Sequence, residues 1–366
     1  MPHETGFDFQ HYNPVRTIFG PGSLEHLPEL VGKRRVLLVT FKSAREIGLL
    51  ARLKGLLGDR LVDLIDEVPS RPELKDVQQA HERIWRERRV ELVVAVGGGS
   101  VIDYAKALLC LPESGHFFDL ITRSTPVVKR LRMIAVPTTA GSGSEVTPFS
   151  VLWDTRDANP TKFTLHQSRM YAETALIDPE LTLSQPKLVM RNAGLDALSH
   201  ALEAIWNVNA TPMTDLLAVE AARTLIAKLP IAWHFQGHLK ARIMIARAAW
   251  QAGLCLAQTR TALAHALSYP LTIKQGTPHG LASSWSLPWV WQQAQNNSAE
   301  RDAVLSRIYG PSETDPVARL CELLYKLEVP TEPKAWGLSE SERARIVLEH
   351  MHNPKGHNFI AKGLRL

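Results

Sequence analysis

The chain has 366 residues, 45% hydrophobic and 22% charged, the balance of an ordinary soluble globular protein of about two domains. No apolar run reaches membrane length, Met1-Pro-His-Glu-Thr-Gly6 lacks the basic and then apolar pattern of a secretion signal, and the cytoplasm is the expected location. The net charge of +5 would suit nucleic acid or an anionic small molecule. Basic residues alternate with acidic ones, however, as in Arg83-Ile-Trp-Arg-Glu-Arg-Arg89, and read as a solvated helix face rather than a nucleic-acid stripe. Cys110, Cys255 and Cys321 lie far apart in apolar contexts, forming neither a disulfide framework nor a thiolate metal motif.

In chain order, Val36-Leu-Leu-Val-Thr40 reads as a buried strand, and Ser43-Ala-Arg-Glu46 has capping-box spacing for a helix through Leu57. Leu61 to Val68 reads as a second strand. Ser70-Arg-Pro-Glu73 repeats the capping signal and opens an amphipathic helix to Arg88. Leu92-Val-Val-Ala-Val96 is the strongest strand, followed by Met133-Ile-Ala-Val136 and Ala175-Leu-Ile177, with a hairpin of Phe149–Trp153 and Lys162–Leu165 about a loop at Asp157-Ala-Asn-Pro160. Strands separated by crossover helices predict an α/β domain with a parallel sheet covered on both faces. After Leu183-Ser-Gln-Pro186 strand signals fade, and Ala/Leu/Ile-rich helices are expected at 187–206, 213–229, 238–257, 262–271, 279–294, 315–327 and 339–351. Two domains follow, 1–184 and 185–366, with a ligand cleft expected between them.

Gly97-Gly-Gly-Ser100 directly follows the strongest strand and opens a helix bearing Asp103 and Lys106. Glycines admit a pyrophosphate close to backbone, and a helix start offers free N–H groups, although the same segment also suits a plain tight turn. It is not the GxGxxG fingerprint. Thr138-Thr-Ala-Gly-Ser-Gly-Ser-Glu145 follows the next strand, and two such loops at the carboxyl edge of a parallel sheet point to a dinucleotide.

Asp196-Ala-Leu-Ser-His200 places a carboxylate and an imidazole one turn apart on a helix, answered downstream by His265 and His279. Gly276-Thr-Pro-His-Gly280 interrupts the apolar pattern, so His279 is expected where one helix gives way to another. Three imidazoles and one carboxylate suit Fe(II) or Zn(II) with a position left for substrate, while a capping Asp and scattered histidines would read the same in spacing.

Taken together, Gly97-Gly-Gly-Ser-Val-Ile-Asp-Tyr-Ala-Lys106, Pro137-Thr-Thr-Ala-Gly-Ser-Gly-Ser-Glu-Val-Thr147, Gly194-Leu-Asp-Ala-Leu-Ser-His-Ala-Leu-Glu203 and Pro278-His-Gly280 resemble the iron-dependent (group III) alcohol dehydrogenases, which share their architecture with dehydroquinate synthase. The resemblance runs from about Tyr12 to Trp289. It implies an N-terminal dinucleotide-binding domain, an all-helical C-terminal domain and a homodimer. It implies metal ligands Asp196, His200, His265 and His279, with Asp196, His265 and Tyr269 at the reacting centre. For the nicotinamide cofactor it implies Phe41, Lys42, Gly97, Gly98, Gly99, Ser100, Asp103, Thr138, Thr139, Ser142, Lys162 and Leu183.

The departures are informative. Many members carry an acidic residue after the first strand that holds the adenosine ribose of NAD; here Phe41 and Lys42 stand there, and NADPH is expected to serve at least as well as NADH. Tyr269 replaces a second histidine found one turn after the third ligand. Before His265 the chain reads Gln258-Thr-Arg-Thr-Ala-Leu-Ala, and Thr259 to Thr272 resembles the phosphonoacetaldehyde reductase branch. That likeness implies a small anionic aldehyde gripped by Thr259, Arg260 and Thr261, with Lys274 nearby; a surface Arg260 is the plain alternative. A general reductase of short aldehydes or lactaldehyde, and a dehydroquinate synthase-like lyase, remain the competing readings. Asn353-Pro-Lys355 resembles a motif near the family's end, and no role is read for Gly356 to Leu366.

Overall fold

In the computed structural model of the chain, residues 9–156, 160–310, 312, 314–351, 353, 355–361, 363 and 364 are described. The extreme N-terminus, the first three residues of the Asp157-Ala-Asn-Pro160 loop, Pro354 and the side chain of Lys274 lie outside them. The chain forms two compact units. One comprises Pro14–Met190 with Phe235–Ala246, and the other comprises the residues up to Asn13, Arg191–His234 and those from Arg247 onward. The division thus falls a few residues beyond the expected 184, inside a continuous helix.

The α/β unit is built on ten strands: β1 (Arg16–Phe19), β2 (Val36–Val39), β3 (Leu61–Ile65), β4 (Leu92–Gly97), β5 (Cys110–Pro112), β6 (Val127–Arg130), β7 (Arg132–Pro137), β8 (Phe149–Asp154), β9 (Thr161–His166) and β10 (Thr174–Ile177). Six of them form one parallel sheet in the order β1-β10-β7-β4-β2-β3. Alternate residues of the central strands feed two separate cores. Leu37, Val39, Val93, Ala95, Met133 and Ala135 enter one, and Val36, Leu38, Leu92, Val94, Ile134 and Val136 the other. A sheet buried on both faces reads as continuous hydrophobic runs, which is why these strands were visible in the sequence. The edge strand β1 is short and partly exposed, and β6 is Val-Val-Lys-Arg with three exposed residues, so neither carried the pattern. The expected hairpin is present as the antiparallel pair β8 and β9.

Helices α1 (Leu27–Val31), α2 (Leu49–Leu57), α3 (Leu74–Glu87), α4 (Gly99–Leu108) and α5 (Phe118–Thr122) complete this unit's crossovers. Neither capping box forms. Gly48, at φ +75°, separates a single turn at Lys42–Ala44 from α2. The Glu73 carboxylate instead receives the Thr155 hydroxyl at 2.7 Å, and α3 begins only at Leu74.

The second unit is helical. α6 (Lys187–Ile205) is buried without interruption from Gly194 to its end, as expected of an Ala/Leu-rich helix without a polar face. It is followed by α7 (Pro212–His234), α8 (Leu239–Thr259, its residues up to Ala246 counted with the α/β unit), α9 (Leu263–Lys274), α10 (His279–Ser284), α11 (Leu287–Ala294), α12 (Ala299–Ser306), α13 (Pro316–Lys326) and α14 (Glu340–Met351). The single helix expected over 279–294 is broken in two, with Pro288 in the first turn of α11. No described helix is long and apolar enough to cross a membrane.

Arg301 on α12 reaches back to Asp215 on α7 in a two-pronged ion pair, 2.7 and 2.9 Å, with both side chains nearly buried. Removing one partner of such a pair strands the other charge. Asp215→Ala should therefore lower unfolding free energy by about 3 kcal/mol in urea titration; a loss below about 1 kcal/mol would show that Arg301 is rescued by solvent or Glu300.

Candidate metal centre and glycine loops

Helix α6 carries Asp196, His200 and Glu203 at i, i+4 and i+7, one stripe along a buried helix. His265 lies in the first turn of α9. His279 opens α10, where the chain has left α9 at Lys274, as the Gly276–Gly280 interruption suggested. Gly280 makes this approach possible. A Cβ there would stand 1.8 Å from the Asn192 carbonyl oxygen and 2.9 Å from Asp196 Cβ, so only glycine lets α10 lie against α6.

The result is a cluster. Ligand atoms of Asp196, His265 and His279 all lie within 4.8 Å of one another. Asp196 Oδ1 is 3.4 Å from His265 Nε2 and 3.9 Å from Nε2 of both His200 and His279. Atoms bound about 2.1 Å from one shared ion lie roughly 3–4 Å apart, so the spacing fits a metal. His200 stacks on His265, ring centroids 4.6 Å apart. Asp196 Oδ1 and His265 Nε2 are buried and have no hydrogen-bond partner among the described residues. Buried polar atoms ordinarily find a partner, and two of them facing one another are a cradle for a cation. The Asp196, His200 and His265 side chains are nearly buried, whereas that of His279 is 36% exposed.

One residue the sequence reading overlooked organises the cluster. Glu203 is fully buried and accepts three N–H bonds, from Ala262 N at 2.8 Å, His265 N at 3.0 Å and His265 Nδ1 at 2.7 Å. The two backbone bonds satisfy orphan donors at the start of α9, whose own cap position is an alanine. The third leaves the His265 proton on Nδ1 and turns the Nε2 lone pair toward Asp196. Burial opposes charge on both partners, yet the Glu203 carboxylate raises the His265 pKa and His265 holds Glu203 below its ordinary value. Asp196 behaves likewise: burial pushes its carboxyl up, but His200, with His265 and His279, holds it below the usual carboxylate range. The position of Glu203 one turn past His200 was the available signal.

Apart from Lys162, which lies in the antiparallel strand β9, the expected cofactor residues follow the carboxyl ends of parallel strands. Phe41 is half-buried and Lys42 exposed just after β2. Gly97 to Ser100 lead from β4 into α4, Thr138, Thr139 and Ser142 follow β7, and Leu183 lies in the short turn after β10. The two glycine loops pack on each other. A Cβ at Gly99 would meet Ser142 Oγ at 2.6 Å, and one at Gly98 would meet the Thr139 side chain at 3.3 Å. Asp103 is committed within the protein, accepting the Ser144 hydroxyl and, at 2.9 Å, the Val151 N–H. Lys106 donates to Ser144, Thr147 and the Phe149 carbonyl, its pKa pushed down to about 8 by burial. These two residues build the second loop rather than face a ligand. The Ser100 hydroxyl is also spent, on the Ser70 carbonyl at 2.6 Å, and Lys162 lies over the Trp153 ring at 5.6 Å.

Residues 14–179 match the family described as iron-containing alcohol dehydrogenase, and residues 190–361 match the Fe-containing alcohol dehydrogenase family, C-terminal. The chain belongs to the iron-containing alcohol dehydrogenases. It is 34% identical to an alcohol dehydrogenase of Thermococcus barophilus over 76% of this chain and 74% of that protein. It is 32% identical to the long-chain-alcohol dehydrogenase 1 of Geobacillus thermodenitrificans over 90% and 86%. Among solved structures it resembles a sulfoacetaldehyde reductase of Bifidobacterium kashiwanohense in complex with NAD+, with a TM-score of 0.87 and 28% identity over 98% of this chain and 96% of that one. The alcohol dehydrogenase assignment brings iron and a nicotinamide dinucleotide, and the donor set fits the former.

Of the expected anion grip, the Lys274 side chain lies outside the described residues, and Thr259 and Arg260 diverge, one buried and one exposed. Thr259 is fully buried at the end of α8, and its hydroxyl donates to the Cys255 and Arg260 carbonyls, both at 3.1 Å. Arg260 takes a left-handed φ of +62°, which ends the helix, and its side chain is exposed. Its carbonyl and that of Thr261 are held by Asn207 and Asn358. This turn is thus a backbone-bonded junction. Tyr269 lies one turn beyond His265, half-buried, and bonds to Lys355.

Glu203→Gln keeps the shape but removes the charge behind His265. Chelator competition with Fe(II) or Zn(II) should report affinity lower by about 10–100-fold; unchanged affinity would show that Glu203 serves only the start of α9.

Proposed function

We propose that this alcohol dehydrogenase is a metal-dependent, NAD(P)H-linked reductase of short anionic aldehydes, converting phosphonoacetaldehyde to 2-hydroxyethylphosphonate. The observation that carries the reductase reading is the convergence of Asp196 Oδ1 and His265 Nε2, both buried and without a hydrogen-bond partner among the described residues, beside His200 and His279. We assign these four residues as the metal ligands. Bound there, the ion would supply Lewis-acid polarisation of the aldehyde oxygen, a nicotinamide dinucleotide would supply the hydride, and water would supply the proton that completes the alcohol. Glu203 keeps His265 in the tautomer that can coordinate, and the exposed flank at His279 leaves a path for substrate.

Two observations support an anionic substrate. The sulfoacetaldehyde reductase is similar over nearly the whole chain, and a sulfonate and a phosphonate are both tetrahedral oxyanions one carbon from the aldehyde. Residues 259–272 also resemble the phosphonoacetaldehyde reductase branch. A reductase of neutral short aldehydes is the second reading, favoured by the exposure of Arg260. NADPH oxidation by iron-loaded protein should proceed with a kcat/KM at least tenfold higher for phosphonoacetaldehyde or sulfoacetaldehyde than for propanal. Higher activity on propanal or lactaldehyde would select the second reading, and turnover of an aldehyde without net NADPH consumption would remove both.

For the cofactor, the absence of a carboxylate after β2 and the exposed Lys42 support use of the 2′-phosphate. Lys42→Ala should lower kcat/KM for NADPH about tenfold while leaving NADH within about twofold, since a single charged contact contributes on the order of 1–2 kcal/mol. Equal losses with both dinucleotides would count against a phosphate contact.

A further inference from the structure

Lys355 follows α14 in the C-terminal segment and was not among the expected site residues. Its position is built. Asn353 Oδ1 accepts the N–H groups of Lys355 and Gly356 at 2.9 and 3.0 Å. Beyond it, the Asn358 side chain donates to the Thr261 carbonyl at 2.8 Å, the Asn358 carbonyl accepts from Val208 N at 2.8 Å, and Ile360 N donates to the Trp206 carbonyl at 3.2 Å. These bonds run to the end of α6 and the approach to α9, the helices that carry Asp196 and His265. The segment is therefore fastened to the frame of the metal centre.

The Lys355 ammonium hydrogen-bonds the Tyr269 hydroxyl and lies 4.4 Å from the centre of its ring. Lysine usually runs its charged end out to water; here the ring and hydroxyl hold it inward, with only part of the residue exposed. Burial pushes its pKa down to about 8 against the pull of the Glu203 and Asp196 carboxylates. Among the described residues Tyr269 is its one hydrogen-bond partner, which leaves two N–H donors available. The charge count is informative. Two buried carboxylates and one ammonium leave one negative charge, which a divalent ion converts to one positive charge. A neutral aldehyde would leave that charge uncompensated in a buried site, and an anionic one offsets it.

We propose that Lys355, positioned by Tyr269, is the residue that selects the substrate's anionic end, a tetrahedral phosphonate or sulfonate, in place of Arg260 and Thr259. This rests on the anionic-aldehyde reading above and names the group that performs it. The Tyr269 hydroxyl acts as a positioning partner.

The test uses the iron-loaded full chain and the ratio of kcat/KM for phosphonoacetaldehyde to that for propanal. Lys355→Met should lower the ratio about a hundredfold, carried by KM, because a desolvated charge pair is lost; Lys355→Arg should restore it to within about tenfold of the wild type. Tyr269→Phe should lower it about fivefold. Calorimetric titration with methylphosphonate and methanesulfonate, on metal-loaded and chelator-stripped protein, gives a readout independent of turnover. Wild type should bind at least one anion about tenfold or more tightly than Lys355→Met in both forms. If Lys355→Met fails to fold by circular dichroism, Lys355→Gln takes its place. A wild type with no preference for the anionic aldehyde would overturn the substrate reading and this inference together. A preference that survives Lys355→Met and Lys355→Gln, with anion binding unchanged, would overturn the role of Lys355 and leave the substrate reading standing.

Discussion

The candidate metal centre depends on one buried carboxylate and the three N–H groups it receives. Glu203 sits in the wholly buried part of α6, where an ionised group is tolerated only if its hydrogen-bonding capacity is filled. The Ala262 and His265 backbones and the His265 ring fill it. The same bonds anchor the start of α9, choose the His265 tautomer and turn Nε2 toward Asp196. A helix start that lacks a cap of its own and a histidine that needs orienting are thus satisfied by one side chain from another helix. The neighbouring contact of Gly280 with Asn192 brings His279 to the same point.

This arrangement concentrates ionisable groups where water is scarce. Asp196 stays ionised against the effect of burial because of His200, His265 and His279, and Glu203 because of His265 and two backbone N–H groups, while Asp196 Oδ1 and His265 Nε2 have no hydrogen-bond partner among the described residues. Such a site is better satisfied with a cation than without one, which links the family's iron dependence to the stability of the folded helical unit. In the α/β unit the corresponding constraint is steric. Gly97, Gly98 and Gly99 are set by the close approach of Val101, Thr139 and Ser142, and none of the three has a positive φ. Asp103 and Lys106, the polar residues of the first loop's helix, act as braces for the second loop.

Much of the fold was legible because its signals are local. Continuous β-branched runs marked the central strands, and the interruption at Gly276–Gly280 marked the break between α9 and α10. Other local signals misled. Ser43-Ala-Arg-Glu46 has the spacing of a cap, but Gly48 takes a left-handed conformation and restarts the helix; Ser70-Arg-Pro-Glu73 loses its glutamate to Thr155. Arg260 reads as an anion grip with a surface arginine as the alternative, and a left-handed backbone at that residue ends α8 with the residue exposed. The helix of Ala299–Ser306 was passed over although Ser298, Glu300 and Asp302 form a recognisable start.

Spacing along α6 paired Asp196 with His200, and the glycine-rich strand ends pointed to a dinucleotide, while the family and the full set of four candidate ligands came from the resemblance of four motifs in order. Glu203 was within reach of the same reasoning, being on the same stripe of α6. Lys355 was not. It is 86 residues from Tyr269, and the bonds that bring it there run from Asn358 and Ile360 to Thr261 and Trp206. No periodicity connects those positions; only the folded chain, by pairing its C-terminal segment with the ends of distant helices, decides that this lysine lies against Tyr269 on α9, one turn beyond His265.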